Sequence, residues 1–273
     1  MSLFQSSIFI SFGSGSCGNC YYLGTPDGAI LIDAGVGVRK LGKAFNDYGI
    51  NRTLIRAILL THDHNDHVKH AAKLATQLNV PVYALREVHD GMLGNRFIAR
   101  KIDEAHRQYI EIDTPLQICD FTIMPFPVPH DASANTGYTI TMGDTVFSLM
   151  TDVGEVTPEV AQALQRSTHV VLEANYDPDM LRTGRYPFIL QERIRNGRGH
   201  LSNIQSAQAL IQNYHPALRH VWLCHLSADN NRPDLCHDTI QSLLQASDIP
   251  VGTDLQLTVL QRDKTTGPFE INA

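Results

Sequence analysis

The segment Leu60-Thr61-His62-Asp63-His64-Asn65-Asp66-His67 decides how this chain is read. It closes Ala57-Ile58-Leu59-Leu60, a continuous apolar run typical of a strand buried on both faces. Helical periodicity begins at its far end and runs from His67 to Leu78. Three imidazoles and the Asp66 carboxylate therefore crowd the turn between a buried strand and a helix. His62 and His64, two apart, share a side of the chain, while Asp66 and His67 point toward a neighbouring spot. Four ligand-type side chains in so short a stretch can serve two adjacent metal ions, provided other strand ends supply further ligands. A polar surface turn would accommodate one histidine; this density calls for a chemical role.

Three later positions fit that requirement. His130 follows Phe126-Pro127-Val128-Pro129, Asp152 follows Phe147-Ser148-Leu149-Met150-Thr151, and His225 follows Val221-Trp222-Leu223-Cys224. Each is a polar residue closing an apolar run. His200 also precedes Leu-Ser, as His225 does, but it opens a helix after the flexible stretch Gly197-Arg198-Gly199. That placement suits a mobile acid better than a metal ligand.

Working outward, short apolar runs read as strands at 8–12, 20–23, 29–32, 81–84, 121–128, 137–141, 146–151, 170–173, 221–226 and 256–260. Helical spacing appears at 38–48, 158–166, 187–195, 201–214 and 234–246. Two mixed sheets packed together with helices outside would suit this order, and so would a doubly wound sheet. Periodicity alone does not choose. No repeat or linker divides the 273 residues, so one domain over 1–273 is expected. With 43% hydrophobic and 18% charged residues the chain has the balance of a globular protein, which excludes disorder, collagen and coiled coil. A net charge of −6 means that any nucleic-acid contact must be local. The N-terminal stretch lacks the charged and apolar regions of a signal peptide, and no apolar run is long enough for a membrane span. Five cysteines, an odd number, then fit a reducing cytoplasm.

The pattern His62-x-His64-x-Asp66-His67, followed in order by His130, Asp152 and His225, resembles the dinuclear site of the metallo-β-lactamase-fold hydrolases. That resemblance implies an α/β (α+β) chain folded as a four-layer αββα sandwich. It also implies that His62, His64 and His130 hold one metal, Asp66, His67 and His225 the other, and that Asp152 bridges them. Within the superfamily the chain is most similar to the YycJ-type (WalJ) proteins, bacterial 5′-to-3′ DNA exonucleases associated with mismatch repair. The segments carrying this likeness are Gly13-Ser14-Gly15-Ser16-Cys17-Gly18-Asn19-Cys20, Val128-Pro129-His130-Asp131-Ala132, Leu172-Glu173-Ala174-Asn175-Tyr176-Asp177, Gly199-His200-Leu201-Ser202-Asn203 and His225-Leu226-Ser227. Cys17 stands where serine is usual in that family, and Tyr176 where histidine is common. Gly199-His200-Leu201-Ser202 also resembles the ribonuclease Z segment whose histidine protonates the leaving group beside a glutamate, here Glu173.

The implied chemistry is hydrolysis of a phosphodiester by a hydroxide shared between two metals, with Asp66 orienting the nucleophile and His200, aligned by Glu173, as general acid. An all-imidazole and carboxylate donor set suits zinc and accommodates manganese or iron. Arg182, Arg185, Arg193, Arg195 and Arg198 precede His200 and are expected to track a DNA backbone, Arg185 and Arg193 above all, with Tyr186 and Phe188 placed to stack on a base. Ser14, Ser16 and Asn19 in the Gly-rich turn are candidate substrate contacts through a phosphate-binding loop. The remaining histidines, His169 and His220 among them, read as surface or helix-face residues. The alternative on the same scaffold is a small ester, thioester or cyclic phosphodiester hydrolase. The Glu173–His200 pair argues for phosphodiesters, because a departing thiolate needs little protonation.

Overall fold

The computed structural model describes residues 6–271. Met1–Gln5, part of the stretch read above for a leader, lie outside the described residues, as do the last two. Two sheets form, each flanked by helices. The first has the order β14-β1-β2-β3-β4-β5-β6. It is built from β1 (Ser7–Gly13), β2 (Cys20–Gly24), β3 (Ala29–Ile32), β4 (Ile55–Leu59), β5 (Val82–Ala84), β6 (Arg107–Tyr109) and β14 (Thr266–Ile271). Pairing is antiparallel from β14 through β3 and parallel from β3 through β6.

The second sheet runs β13-β12-β11-β10-β9-β8-β7. Its strands are β7 (Leu116–Ile118), β8 (Phe121–Pro127), β9 (Thr136–Met142), β10 (Thr145–Met150), β11 (His169–Glu173), β12 (His220–Cys224) and β13 (Gln256–Val259). Strands β10 to β13 are parallel, and β9 is antiparallel to β10. Two mixed sheets, one of the arrangements left open by the pattern of apolar runs, is the one formed.

The chain divides into two compact units. One takes in the chain through Pro125, Ala132–Thr136 and the stretch from Gln261; the other comprises Phe126–Asp131 and Gly137–Leu260. In the first, α1 (Val38–Asp47) and α3 (Ala71–Leu78) cover one sheet face, burying Ile10, Phe12, Leu31, Ile58, Leu41, Phe45 and Leu74 in one cluster. In the second, α5 (Pro158–Arg166), α8 (Asn203–Asn213) and α9 (Pro233–Gln245) cover Val170, Leu172, Val221 and Leu223. Residues on the opposite faces of these strands, such as Ile30, Ile32, Val171 and Trp222, are buried too. Burial on both faces is why β3 and β12 read as unbroken apolar runs. Each such Leu or Ile side chain contributes about 1.5–3 kcal/mol through its removal from water.

The helix expected at 67–78 is interrupted, giving α2 (Asn65–Val68) and then α3. The cause is a diverted backbone: the His67 carbonyl accepts from Ala34 N at 2.6 Å, and His70 N donates to Ala34 O at 2.9 Å. Helices α4 (Arg86–Gly94) and α6 (Pro178–Thr183) and strands β6, β7 and β14 add to the expected elements. Among the described residues, no helix is long and apolar enough to cross a membrane.

Candidate active site

The parallel strands of both sheets end in chemistry-bearing residues, and three of those ends share a backbone device. Asp33 after β3, Asp152 after β10 and His225 after β12 have φ of 62°, 57° and 55°, the left-handed region rarely adopted by residues other than glycine. Each turns its side chain back over the carboxyl end of its sheet. Such conformations cost about 1–3 kcal/mol and persist where surrounding structure enforces them.

In the first unit the histidine-rich turn rests on a buried polar base. Asp33 Oδ2 accepts from His67 Nδ1 at 2.7 Å, and the Thr61 hydroxyl lies 3.0 Å from both oxygens of the same carboxylate. Thr61 Oγ1 in turn lies 3.0 Å from His62 Nδ1. The His62 ring centroid sits 4.7 Å from that of His64 and 4.0 Å from that of His67. Asn19 N donates to the Asp66 carbonyl at 2.7 Å, and its Nδ2 lies 3.3 Å from Asp66 Oδ2 and 2.9 Å from His67 Nε2. Gly35 is required beside this turn, because a Cβ there would fall 1.6 Å from the Asp66 carbonyl oxygen.

In the second unit, Asp152, Glu173, His200 and His225 bring their ligand atoms within 4.8 Å of one another. Asp152 Oδ1 lies 3.6 Å from His130 Nε2 and 3.4 Å from His225 Nδ1. Glu173 is fully buried. One oxygen accepts from His200 Nδ1 at 2.8 Å and from His225 Nδ1 at 3.1 Å; the other accepts from Val153 N at 2.8 Å and Leu201 N at 3.1 Å. His130 Nδ1 donates to the Gly199 carbonyl at 3.0 Å.

These bonds set the tautomers. With Nδ1 of His67, His130 and His225 donating to a carboxylate or carbonyl, Nε2 of each is the lone-pair atom, as metal-binding imidazoles require. The residues therefore fit divalent metal ions, which the fold implies. Burial alone would pull the His200 imidazole below its ordinary pKa, but the Glu173 carboxylate more than offsets this and raises it. Burial likewise opposes ionisation of Glu173, yet the facing imidazoles hold its carboxyl below the usual range. The pair thus sets a buried carboxylate against an imidazole whose charged form it favours.

Several expected roles change. Ser14 and Asn19 are fully buried, Ser14 Oγ lying 2.9 Å from the Tyr21 hydroxyl, so both brace the turn and neither is a surface for substrate. Ser16 is exposed, 3.2 Å from an Arg262 guanidinium nitrogen. The stretch before His200 is pinned, not loose: Arg198 donates twice to the His130 carbonyl, and a Cβ on Gly199 would lie 2.1 Å from the Ile194 carbonyl. Of the arginine run, Arg182 pairs with Asp179, Arg193 with Asp131 and Arg195 with Glu192, while Arg185 is exposed. Tyr186 is half-buried against Leu181 and Ile194 and donates to Asp229, whereas Phe188 is 70% exposed. All five cysteines are free, and Cys20, of the Cys17–Cys20 pair, lies buried in β2. Asp33, Thr61 and Asn175 were missed. Asp33 closes the apolar run Ala29–Ile32, the same signal that marked Asp152 and His225. Asn175, whose Nδ2 donates to the His225 carbonyl at 2.8 Å, left no such mark.

A family model described as a beta-lactamase superfamily domain matches residues 29–225. Exodeoxyribonuclease WalJ of Streptococcus pneumoniae is 32% identical over 258 residues, covering 94% of this chain and 96% of that protein. Exodeoxyribonuclease YycJ of Bacillus anthracis is 29% identical over 249 residues, covering 91% and 93%. Among solved structures, the metallo-beta-lactamase fold protein YhfI of Bacillus subtilis superposes with a TM-score of 0.67 over 95% of this chain and 99% of its own, at 16% identity, a likeness of fold. The chain belongs to the beta-lactamase superfamily and, within it, to the family of the WalJ and YycJ exodeoxyribonucleases.

Proposed function

We propose that this protein is a metal-dependent phosphodiesterase of nucleic acid, specifically a 5′-to-3′ DNA exonuclease that serves DNA repair in the cytoplasm. His62, His64, Asp66, His67, His130, Asp152 and His225 hold two divalent ions in this reading, zinc or manganese, with iron also suited to the donors. The two compact units act as one catalytic domain, a reading supported by the single family model that spans both.

The observation that carries the reading is the Glu173–His200 pair, at 2.8 Å. Hydrolysis of a phosphodiester expels a strongly basic sugar alkoxide, which must be protonated as it leaves; esters with acidic leaving groups need no such help. When bound, the two ions supply a nucleophile at neutral pH and neutralise charge on the phosphoryl oxygens. Asp66, braced by Asn19, orients the attacking water. His200 delivers its Nε2 proton to the leaving oxygen, and Glu173 keeps Nδ1 protonated and the ring aligned. Exposed Arg185 and Phe188 offer a charge and a stacking surface to the strand.

The test is purified protein with Mn²⁺ or Zn²⁺ on 5′- and 3′-labelled single- and double-stranded DNA, beside bis-p-nitrophenyl phosphate and a thioester. Progressive shortening from the 5′ end, with diester but not thioester hydrolysis, is expected. A preference for the thioester would overturn the reading.

A further inference from the structure

A second concentration of cations belongs to the first unit. Ala34 bonds to both His67 and His70 through its backbone, so α1 and α3 set out from the same place beside the histidine-rich turn. Between these helices is a cavity of about 380 Å³. Val38, Arg39, Gly42 and Phe45 line it from α1, and Lys73, Leu74, Gln77 and Leu78 from α3. These positions follow the three-to-four-residue spacing of one helix face each. Arg52 closes its wall: its guanidinium donates to the Gly42 carbonyl and Asn46 Oδ1 and sits 5.7 Å from the Phe45 ring centre. The floor is apolar, the walls carry three cations, and no acid lines it.

The sequence around it is as one-sided. From Ala34 to Thr61 the chain carries Arg39, Lys40, Lys43, Arg52 and Arg56 against one acid, Asp47, which is paired with Lys43. From Val68 to Arg86 there are Lys69, Lys73 and Arg86 and no acid. In a protein of net charge −6 this segregation makes a local positive field on an otherwise acidic molecule.

We propose that the α1–α3 groove is a nucleic-acid site, gripping the sugar-phosphate backbone of the strand whose end is being hydrolysed. The proposal rests on the nuclease reading above. Helix α1, ten residues long, spans about 15 Å, enough to meet more than one phosphate of a strand. Arg39 and Lys73 face the groove from opposite walls, Arg39 offering a phosphate a fork of N–H donors and Lys73 a point charge. Arg52, already oriented by its two acceptors, presents its remaining N–H groups without further loss of freedom. The half-buried Val38 and Leu78 give sugar rings an apolar seat. None of these residues belongs to the catalytic set, so the groove governs grip on a long substrate and leaves the chemical step alone.

The experiment compares wild type with Arg39→Glu/Lys73→Glu, using a fluorescein-labelled oligonucleotide, single-stranded and duplex, over a salt series. The double variant is expected to bind roughly tenfold or more weakly, with the slope of log affinity against log salt reduced by about two. Hydrolysis of bis-p-nitrophenyl phosphate should be unchanged. Arg39→Gln/Lys73→Gln should shift affinity and slope the same way by less, which covers a fold that rejects charge reversal. Unchanged affinity and slope in both variants would overturn the proposal. So would polyglutamate that displaces the oligonucleotide as well as unlabelled DNA does, since the groove would then be a general polyanion site. Wild type that binds DNA through the groove but cleaves none refutes the nuclease reading and spares the groove; cleavage with normal binding by the variants does the reverse.

Discussion

Strands β11 and β12 carry histidines near both ends, and the two ends have opposite chemistry. At their start, His169 and His220 face each other in register and both stack on Trp222, with ring centroids 5.9 and 4.0 Å from the indole. Burial pushes both imidazoles down to about 4, His169 further by Arg219 and His220 by His169. At their finish, Glu173 ends β11 beside His225, which follows β12, and His200, and the His200 pKa is raised. Both ends bury imidazole; only one supplies a carboxylate. Exclusion of water alone favours the neutral imidazole, whereas a carboxylate excluded with it favours the charged form. The linkage signs are opposite as well. His200, with its raised pKa, adds stability that is complete below the ordinary value of about 6.5 and lost as pH climbs through the raised one. His169 and His220 add stability that is complete above about 6.5 and lost as pH falls toward 4.

The sharpest way to break the contrast is to neutralise its anion. Glu173→Gln places an amide among four donors that all require an acceptor, the imidazoles of His200 and His225 and the N–H groups of Val153 and Leu201. It should misplace the acid and a proposed ligand together. DNA cleavage and bis-p-nitrophenyl phosphate hydrolysis are expected to fall together, by more than any loss from His200→Ala. A variant that keeps its diester activity would show that Glu173 serves His200 alone.

His200→Ala ranks next. It removes the proton and leaves the carboxylate, so both metals should still bind while DNA cleavage drops roughly 10²–10⁴-fold. The p-nitrophenyl diester, whose leaving group departs unprotonated, should lose far less. Metal analysis together with the ratio of the two losses decides this; an emptied metal site or equal losses would move His200 into the ligand set.

The smallest effect on catalysis belongs to the stacked end. His220→Phe keeps an aromatic plate on Trp222 and removes a group that must stay neutral. Activity at neutral pH should be unchanged. The fall in unfolding free energy between pH 7 and pH 4.5, measured in urea, should shrink by on the order of 2–3 kcal/mol relative to wild type. An unaltered pH dependence would mean that the native state accommodates the proton there.

What the sequence disclosed follows the same division. His130, Asp152 and His225 were legible because each closes an apolar run, and a buried strand ending in a polar side chain is a one-dimensional signal. Asp33 carries the same signal, but nothing in the sequence ties it to His67, and Glu173 was legible through the resemblance of its segment. His169, read as a surface group from its place at the start of a strand, is buried, and His220 is half-buried; both stack on Trp222, a partner that spacing does not reveal. Asn19 and Ser14 sat in a Gly-rich run that resembles a phosphate loop, and their burial depends on Tyr21 and Asp66, partners that spacing does not reveal. The break between α2 and α3 arises from Ala34, distant in sequence. The charge segregation around α1 and α3 was on the page in the sequence, but diluted by the acidic total.

The left-handed strand ends at Asp33, Asp152 and His225 also shape how this protein can drift. Besides glycine, the residues that occupy such a backbone most readily are asparagine, aspartate and histidine. Asparagine is one nucleotide change from both an aspartate and a histidine codon. At these three positions, then, a single nucleotide change that respects the backbone can trade an anion or an imidazole for a neutral amide. At Asp152 and His225 such a change would keep the turn of the backbone while removing a proposed ligand, so the fold and the activity of this protein can be lost separately.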